Sequence, residues 1–294
     1  MNNKCTLCPR KCNATRTLQE GKGFCKMGSN PVVARVSKHM WEEPCISGEK
    51  GSGTIFFSGC VMKCVFCQNY KISTENFGKE LTPKQLAECY KRLEEMEVNN
   101  INLVSGTHFI PAIIESFNIY KPNIPVVYNC GGYEMVESIK ALQGYVDIYL
   151  PDFKYATSEI AQKYSNAPNY PEVALSALQE MLRQQPQNIY NQNGIMEKGV
   201  IVRHLVLPSN TKNSIGVLNL LNDNIGNNIT ISLMAQYTPC GIADKYPEIN
   251  RKITKREYNK VLNHLVELGF DGFTQQLESA TTDYIPSFDL QGLE

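Results

Sequence analysis

The sequence predicts an α/β protein: an open, partial (β/α)6 barrel with a small cysteine-rich extension in front of it. Two observations carry this prediction. From residue 49 onward, short apolar runs alternate with amphipathic segments about six times, as in consecutive β-α units of a parallel sheet. Six units are too few for a complete eight-strand barrel, so an open barrel fits better. We therefore divide the chain into the extension, residues 1–48, and the barrel, residues 49–294.

The individual elements follow from the length and period of the apolar runs. Thr82 with Gln85, and Thr254 with Glu257, have the spacing of a capping box at a helix start. The predicted strands are at 54–58, 101–105, 125–129, 146–150, 199–207 and 229–237. The predicted helices are at 82–97, 111–120, 133–142, 170–184, 214–221 and 254–268.

Composition and charge argue against several classes of protein. The 29 Lys and Arg residues balance the 29 Asp and Glu residues, so no overall basic field indicates nucleic acid or a membrane surface as a partner. The first residues are polar, unlike a signal peptide, and no apolar run approaches the ~20 residues of a membrane span. We expect a cytoplasmic protein, in which the 11 cysteines are free or metal-bound rather than paired in disulfides.

The strongest local signal is a loop with three cysteines at C-x3-C-x2-C spacing, Cys60, Cys64 and Cys67, with the aromatic Phe66 before the last. Three thiolates this close can converge on one metal centre. An ordinary electron-transfer iron–sulfur cluster is held by four cysteines, so three leave one metal position open, as catalytic sites do. The alternatives are a zinc knuckle without its fourth ligand, or three thiols without a common ligand.

A second cysteine group lies in the extension. Cys5, Cys8, Cys12 and Cys25 have C-x2-C-x3-C-x12-C spacing, which suits either a four-thiolate zinc site or a second iron–sulfur cluster. The segment is too short and polar to bury its own core, so we favour a structural metal over an electron relay. Cys45 could be a small buried side chain, a metal ligand or a reactive thiol, and Cys130 could fill space or face the substrate; we favour burial for both.

Polar residues follow most of the predicted strands. In parallel α/β folds the loops at the carboxyl ends of the strands build the active site, so these residues are candidate ligand-binding groups. Asp152 and Lys154 could instead simply pair with each other. Arg203 and His204 are adjacent, so only one can face the interior, and a guanidinium suits a carboxylate ligand. The candidates are Ser105, Gly106, Thr107, Asn129, Asp152, Lys154, Arg203 and Gln236.

The cysteine loop resembles that of the radical S-adenosylmethionine (SAM) superfamily, with its C-x3-C-x-aromatic-C motif. The whole length resembles one branch, the proteins related to pyruvate formate-lyase activating enzyme. That resemblance rests on residues 5–12, 41–48, 59–70, 102–104, 107–109, 146–155 and 203–208. It implies a partial barrel, a [4Fe-4S] cluster held by Cys60, Cys64 and Cys67, and SAM bound at the open iron.

The resemblance also implies roles for the polar residues. Asp152 and Lys154 match a D-x-K element beside SAM, and Arg203 matches an arginine that contacts the SAM carboxylate. Ser105-Gly106-Thr107 stands where many members have Gly-Gly-Glu, which binds the SAM amino group. The expected cofactor contacts therefore include Phe66, Asn69, Ser105, Gly106, Thr107, Asn129 and Gln236.

The implied activity is that of an oxidoreductase that cleaves SAM with one electron and removes a hydrogen atom from a substrate. Three hypotheses remain. The chain could install a glycyl radical on a partner enzyme, or modify a small molecule, peptide or protein side chain. It could also be a non-catalytic iron–sulfur or zinc protein for electron transfer or sensing. The first two need an electron donor such as flavodoxin or ferredoxin.

Overall fold

The computed structural model describes residues 4–281 and 285–293. Their main feature is a ten-stranded, mostly parallel sheet with helices packed around it. The strands are β1 (Val32–His39), β2 (Ser52–Phe57), β3 (Lys79–Glu80), β4 (Ile101–Val104), β5 (Val126–Cys130), β6 (Ile148–Pro151), β7 (Ile189–Tyr190), β8 (Met196–Leu205), β9 (Thr230–Met234) and β10 (Asp271–Thr274). The α-helices are α1 (Pro44–Ser47), α2 (Tyr70–Ser73), α3 (Pro83–Glu95), α4 (Ile110–Ile119), α5 (Val136–Ala141), α6 (Ser158–Ser165), α7 (Tyr170–Gln184), α8 (Thr211–Ile225) and α9 (Lys255–Glu267).

The sheet confirms the predicted fold class. Its order is β10-β9-β8-β6-β5-β4-β2-β1-β3, and β7 pairs with β8. All neighbours from β2 to β10 along this order are parallel, while β1 is antiparallel to β2 and β3. The strands β2, β4, β5 and β6 are buried throughout, as expected of parallel strands covered on both faces.

The helix starts also follow the sequence. Thr82 with Gln85, and Thr254 with Glu257, each form both hydrogen bonds of a capping box. The strand β10 was not predicted. It contains Gly272, whose φ is +146° and whose added Cβ would lie 1.9 Å from the carbonyl oxygen of Ile231. Only glycine allows β10 to approach β9 this closely, and glycine weakens the sequence signal of a strand.

The sheet curls into a barrel that stays open between its β1–β3 end and β10, a gap that we call the seam. Residues at the end of β1 and residues of β10 line one common cavity. The last part of the described chain runs beside β1: the Leu290 amide donates to the Ala34 carbonyl at 3.1 Å, and the Val36 amide to the Gln291 carbonyl at 2.9 Å. The strand β1 lies within the predicted extension, yet it belongs to the main sheet.

The first part of the extension has little regular structure of its own. Residues 4–30 contain only isolated β-bridges, such as Arg16 with Gly21 and Glu20 with Met27. Arg10 joins this segment to the barrel, because its guanidinium donates to the carbonyls of Val61 at 2.7 Å and Ser165 at 2.9 Å. None of the helices within residues 4–281 and 285–293 is long and apolar enough to cross a membrane.

Candidate active site

The cysteine loop begins where β2 ends. Gly59 turns the chain with a φ of +79°, and an added Cβ there would lie 2.6 Å from Met27 Cγ, so glycine is required. His108 fixes the preceding residue, because its Nε2 lies 2.8 Å from the carbonyl oxygen of Ser58. Burial lowers the pKa of His108 to about 4, so the ring is neutral and Nε2–H donates this bond. The turn therefore delivers Cys60 to the carboxyl end of the sheet in a fixed position.

Cys60, Cys64 and Cys67 line one cavity of about 180 Å3, which we call the cysteine cavity. Burial, and then the neighbouring Cys64, raises the pKa of Cys60 above its ordinary value and that of Cys67 to about 12. The Met62 amide donates to Cys60 Sγ at 3.3 Å, and the Ser165 hydroxyl to Cys64 Sγ at 2.9 Å. One buried thiol, Cys64, and two partly buried thiols, Cys60 and Cys67, thus face a common space.

This donor set fits a [4Fe-4S] cluster. Among the residues that the structure describes, no three of His, Cys, Asp and Glu stand close enough to ligate a single metal ion. A four-iron cluster takes one cysteine on each iron, so its ligands are spread further apart than those of one ion. Metal binding would remove the protons that burial retains on these thiols. Cys60, Cys64 and Cys67 would hold three irons and leave one open.

A buried charged group lies beside the cysteines. Arg203 Nε is 2.9 Å from Asp152 Oδ1, and Lys154 pairs with the other oxygen of the same carboxylate. Burial alone would raise the pKa of Asp152, but Arg203 and then Lys154 lower it below its ordinary value. Asp152 is therefore a carboxylate near neutral pH. Asp152 and Lys154 thus pair with each other, and Arg203 joins them.

Arg203 also contacts Glu42 and Asn129. Its Nη1 lies 3.2 Å from Glu42 Oε2, and its Nη2 donates to Asn129 Oδ1 at 2.6 Å. Burial alone would lower its pKa, but the surrounding carboxyl groups, Asp152 first, raise it, so the guanidinium remains charged. His204 points the other way: its Nδ1–H donates to the Phe153 carbonyl at 2.6 Å. Of the adjacent pair, Arg203 faces the interior, as predicted.

The structure brings most of the other predicted contacts to the cysteine cavity. Gly106 is not part of the wall: an added Cβ there would lie 2.8 Å from Ile113 Cδ1, within the core. Ser105 reaches the wall with a left-handed φ of +63°. The predicted contacts that do line the cavity are Phe66, Asn69, Ser105, Thr107, Asn129, Asp152, Lys154, Arg203 and Gln236.

A second cavity of about 540 Å3 lies at the seam, and we call it the seam chamber. Its walls include His39 and Trp41 from one side of the seam and Phe273 from β10. Several residues line both cavities, among them Asn129 and Arg203. The seam chamber is thus the neighbour of the cysteine cavity, and the two share a polar wall.

Sequence reasoning missed two acidic sites. Glu42 and Glu43 occur in a segment quoted only for its resemblance, and both line the seam chamber. Glu134 is buried beneath Thr107, whose hydroxyl donates to it at 2.6 Å, and Tyr128 donates to its other oxygen at 3.3 Å. Burial raises the pKa of Glu134 to about 8 despite these bonds. For Glu42 and Glu43, the available sequence signal was an acidic pair directly before Pro44.

The cysteines of the extension are placed less uniformly. Cys8 and Cys25 are buried, Cys5 is half-buried and Cys12 is exposed. Burial raises the pKa of Cys8 to about 12, and Cys25 and Cys5 add to this effect, so these thiols lie near one another. The second metal remains a prediction. Cys45 and Cys130 are buried, as expected, and Cys130 also lines the cysteine cavity.

The open parallel barrel and the thiol loop at the carboxyl ends of its strands define a cluster-binding α/β protein. Residues 54–216 match the family model described as the radical SAM superfamily, and the chain belongs to this superfamily. Membership implies a [4Fe-4S] cluster and SAM as cofactors. The chain is also 32% identical over 268 residues to an uncharacterized protein of Methanocaldococcus jannaschii. This alignment covers 88% of this chain and 73% of that protein.

Solved structures show the same fold. A radical SAM methyltransferase from Sphaerobacter thermophilus aligns with a TM-score of 0.54 at 14% identity, over 78% of this chain and 69% of that one. SuiB of Streptococcus suis, solved with the precursor peptide SuiA, aligns with a TM-score of 0.51 at 12% identity, over 76% of this chain and 48% of SuiB. At these identities the likeness concerns the fold alone.

Proposed function

We propose that this chain is a radical SAM enzyme that cleaves SAM in the cysteine cavity and removes a hydrogen atom from a substrate in the seam chamber. The supporting observation is the convergence of two independent groups on one cavity: the three thiols of the cysteine loop and the Asp152–Lys154–Arg203 cluster. The thiols follow β2, and the charged residues follow or lie in β6 and β8. A scaffold used only for electron transfer has no need of the second group.

The proposed roles follow from the donor atoms. Cys60, Cys64 and Cys67 would hold the cluster, which when reduced supplies the electron that splits SAM into methionine and a 5′-deoxyadenosyl radical. Arg203 is the group for the SAM carboxylate, because a guanidinium can bind a carboxylate through two parallel hydrogen bonds. On binding, Arg203 would exchange part of its contact with Asp152. The freed carboxylate could then accept from ribose hydroxyls or the amino group.

The remaining cavity wall would exclude water and orient the adenosyl group. Met62, Leu205 and Met234 supply apolar surface, and Asn129 and Gln236 supply amide groups. An apolar wall protects a carbon radical from side reactions. The hydrogen atom passes from a substrate C–H bond to the 5′ carbon, which yields 5′-deoxyadenosine and a substrate radical. The electron comes from a reductant of the flavodoxin or ferredoxin class.

The first candidate for the substrate is the backbone glycine of a partner enzyme, as in the activating enzymes that the sequence resembles. A partner loop could enter at the seam. The second candidate is a small molecule or a single side chain, and the volume of the seam chamber favours it. About 540 Å3 lies within the range of small-ligand sites. Co-purification with a glycyl-radical enzyme would favour the first candidate, and turnover of a free small substrate the second.

The test is anaerobic production of 5′-deoxyadenosine. The protein is reconstituted with iron and sulfide, reduced with dithionite and given SAM. The variant with Cys60, Cys64 and Cys67 all changed to alanine should yield none. Cys89→Ala is the matched control, because Cys89 is buried in α3 and lines neither cavity, and it should match the parent. A parent with an intact, reducible cluster that forms no product, and whose electron paramagnetic resonance signal SAM leaves unchanged, would contradict the proposal.

A further inference from the structure

The seam chamber contains a carboxyl group whose position the cysteine cavity does not explain. Glu43 lines the chamber and is only 7% exposed. Within the described residues, its Oε2 has no hydrogen-bond partner. A buried polar atom without a partner is costly, and in native proteins it commonly awaits a ligand, an ion or water.

The backbone holds Glu43 firmly in this position. It precedes Pro44, which restricts it to an extended conformation, and its φ and ψ are −50° and 146°. Its carbonyl accepts from the amides of Ile46 at 2.8 Å and Ser47 at 3.0 Å. The Ser47 hydroxyl in turn accepts from the Glu42 amide at 3.0 Å. The carboxyl group therefore reaches into the chamber from a rigid turn rather than from a mobile loop.

The adjacent Glu42 differs in its pairing. It accepts from Arg203 at 3.2 Å, Asn102 at 3.1 Å and Asn129 at 3.3 Å. Arg203 and Lys154 are the two cations of the cluster, and Asp152 and Glu42 are their hydrogen-bonded acidic partners. Glu43 is an additional acidic group: Arg203 and Ser232 lower its pKa, but the hydrogen bonds of Arg203 go to Asp152, Glu42 and Asn129.

The rest of the chamber wall offers Glu43 no cation. Of the described residues that line it, only Glu42, Glu43 and Arg203 have carboxyl or guanidinium side chains. Burial raises the pKa of Glu43 above its ordinary value, and Arg203 opposes this effect. A cationic ligand at Glu43 would favour the ionised carboxylate. Burial, and then Arg35, lowers the pKa of His39, so that ring stays neutral. Much of the remaining wall is apolar, with Phe56 and Phe273 among its residues. A ligand with a cationic end and an aliphatic body matches both features.

We propose that the seam chamber binds a substrate that bears a primary ammonium group, and that Glu43 pairs with this group while the aliphatic chain lies against the apolar wall. This inference rests on the proposed function, since it assigns the substrate class of the same site. A primary amine occurs both in small metabolites and in a lysine side chain, and the test distinguishes these two sources.

The test uses the single tryptophan of the chain as a probe. Trp41 is two residues from Glu43 and lines the chamber, so its fluorescence reports entry of a ligand without any SAM cleavage. The reconstituted protein is titrated with n-pentylamine, n-pentanol and pentanoate, and with a pentapeptide whose central residue is lysine. We expect saturable binding of an amine, with pentanol and pentanoate at least about tenfold weaker.

The decisive variant is Glu43→Gln, with Glu49→Gln as the matched control from an exposed position of the same segment. Glu43→Gln should weaken amine binding at least about tenfold, while Glu49→Gln and the affinity for SAM stay unchanged. Tighter binding of the peptide than of pentylamine would assign the amine to a polypeptide, and the reverse order to a small molecule.

Several outcomes would overturn the inference. One is equal binding of pentylamine and pentanol by the parent, which needs no variant and so does not depend on whether Glu43→Gln folds. Another is equal amine affinity in parent and Glu43→Gln. A third is loss of SAM binding in Glu43→Gln, which would assign the carboxyl group to the cofactor. Amine binding in a protein that forms no 5′-deoxyadenosine would leave the subsite standing and refute the proposed function alone.

Discussion

The cysteine loop at residues 60–67 and the cysteine group at residues 5–25 have comparable spacing but very different surroundings. The loop leaves a buried strand, and its three thiols line a cavity that also contains Asp152 and Lys154. The group in the extension has isolated β-bridges around it, and Cys12 is exposed to solvent. Neither of the two cavities described above is lined by its cysteines.

The difference teaches that cysteine spacing predicts metal binding, whereas catalysis needs an adjacent space with its own polar groups. Closed metal sites stabilise a fold, and open sites act on a ligand. Neither of these two cavities reaches the thiols of the extension, so we expect a metal there to serve the fold. Variants of the two groups should therefore have opposite effects on stability and activity.

The largest expected effect separates the two groups directly. Cys64→Ala should abolish 5′-deoxyadenosine formation, because it removes a ligand of the cluster. Cys8→Ala with Cys25→Ala should lower the melting temperature and the metal content, yet leave product per cluster within about twofold of the parent, since no step of catalysis uses a closed site. Metal analysis, thermal unfolding and product assay check both. Loss of cleavage in the extension variant, despite a full cluster, would make the extension an electron relay.

The second prediction concerns the charged cluster that only the catalytic region has. Arg203→Leu leaves Asp152 and Glu42 buried without their shared partner. Breaking a buried ion pair in this way costs about 3–5 kcal/mol, so urea unfolding should show a large loss, and SAM binding should weaken as well. Lys91→Leu is the control, because the side chains of Lys91 and its partner Glu88 are both largely exposed. A stable Arg203 variant with normal SAM affinity would contradict the assigned role.

The third prediction tests the connection between the two regions. Arg10→Ala removes hydrogen bonds to the carbonyls of Val61, in the cysteine loop, and of Ser165, whose hydroxyl donates to Cys64 Sγ. We expect a loss of about 1–3 kcal/mol in the free energy of unfolding and faster loss of iron from the cluster. Arg16→Ala is the control, because the carbonyls that Arg16 binds, those of Met27 and Gly28, lie within the extension. Equal iron retention in both variants would show that the regions are independent.

The fourth prediction is a pH dependence of stability and concerns Glu134, which lies between the regions. Its pKa of about 8 exceeds the ordinary 4.5 because of burial. Between these two pH values the folded protein holds a proton that the unfolded chain releases, so the contribution of Glu134 to stability falls by at most ~1.4 kcal/mol per pH unit as the pH rises. Glu134→Gln removes this dependence. Its stability relative to the parent should therefore increase from pH 5 to pH 8, and a constant difference in urea unfolding would contradict the raised pKa.

Much of this arrangement could be predicted because the signals are local. The capping boxes at Thr82 and Thr254, the buried runs of the central strands and the cysteine loop each occupy a few consecutive residues. Arg203 could be placed at the site without knowing the strand order, since the carboxyl ends of all parallel strands lie at the same edge of the sheet. The alternation of side chains allowed only one of Arg203 and His204 to face the interior, and the chemistry of the guanidinium favoured Arg203.

What could not be predicted depends on distant contacts or on unusual backbone. Glu42 meets Arg203 only because the sheet curls, and the two are 161 positions apart. The strand β10 was not predicted because it contains Gly272. Glycine is required there by the close approach of β10 to β9, which no sequence pattern indicates. The expected role of Gly106 rested on its neighbours in sequence, whereas its position is determined by packing against Ile113.

The open seam has a consequence for the order in which the protein is built. A ribosome delivers the chain from its amino end, and domains fold as their parts emerge. Strands β2 to β8, with the thiols and the charged cluster, are complete well before β10 is synthesised. The seam chamber needs contacts between residues near 40 and residues near 273, the kind of long-range closure that forms slowly. A nascent chain would thus possess its cluster-binding half before it could retain a substrate.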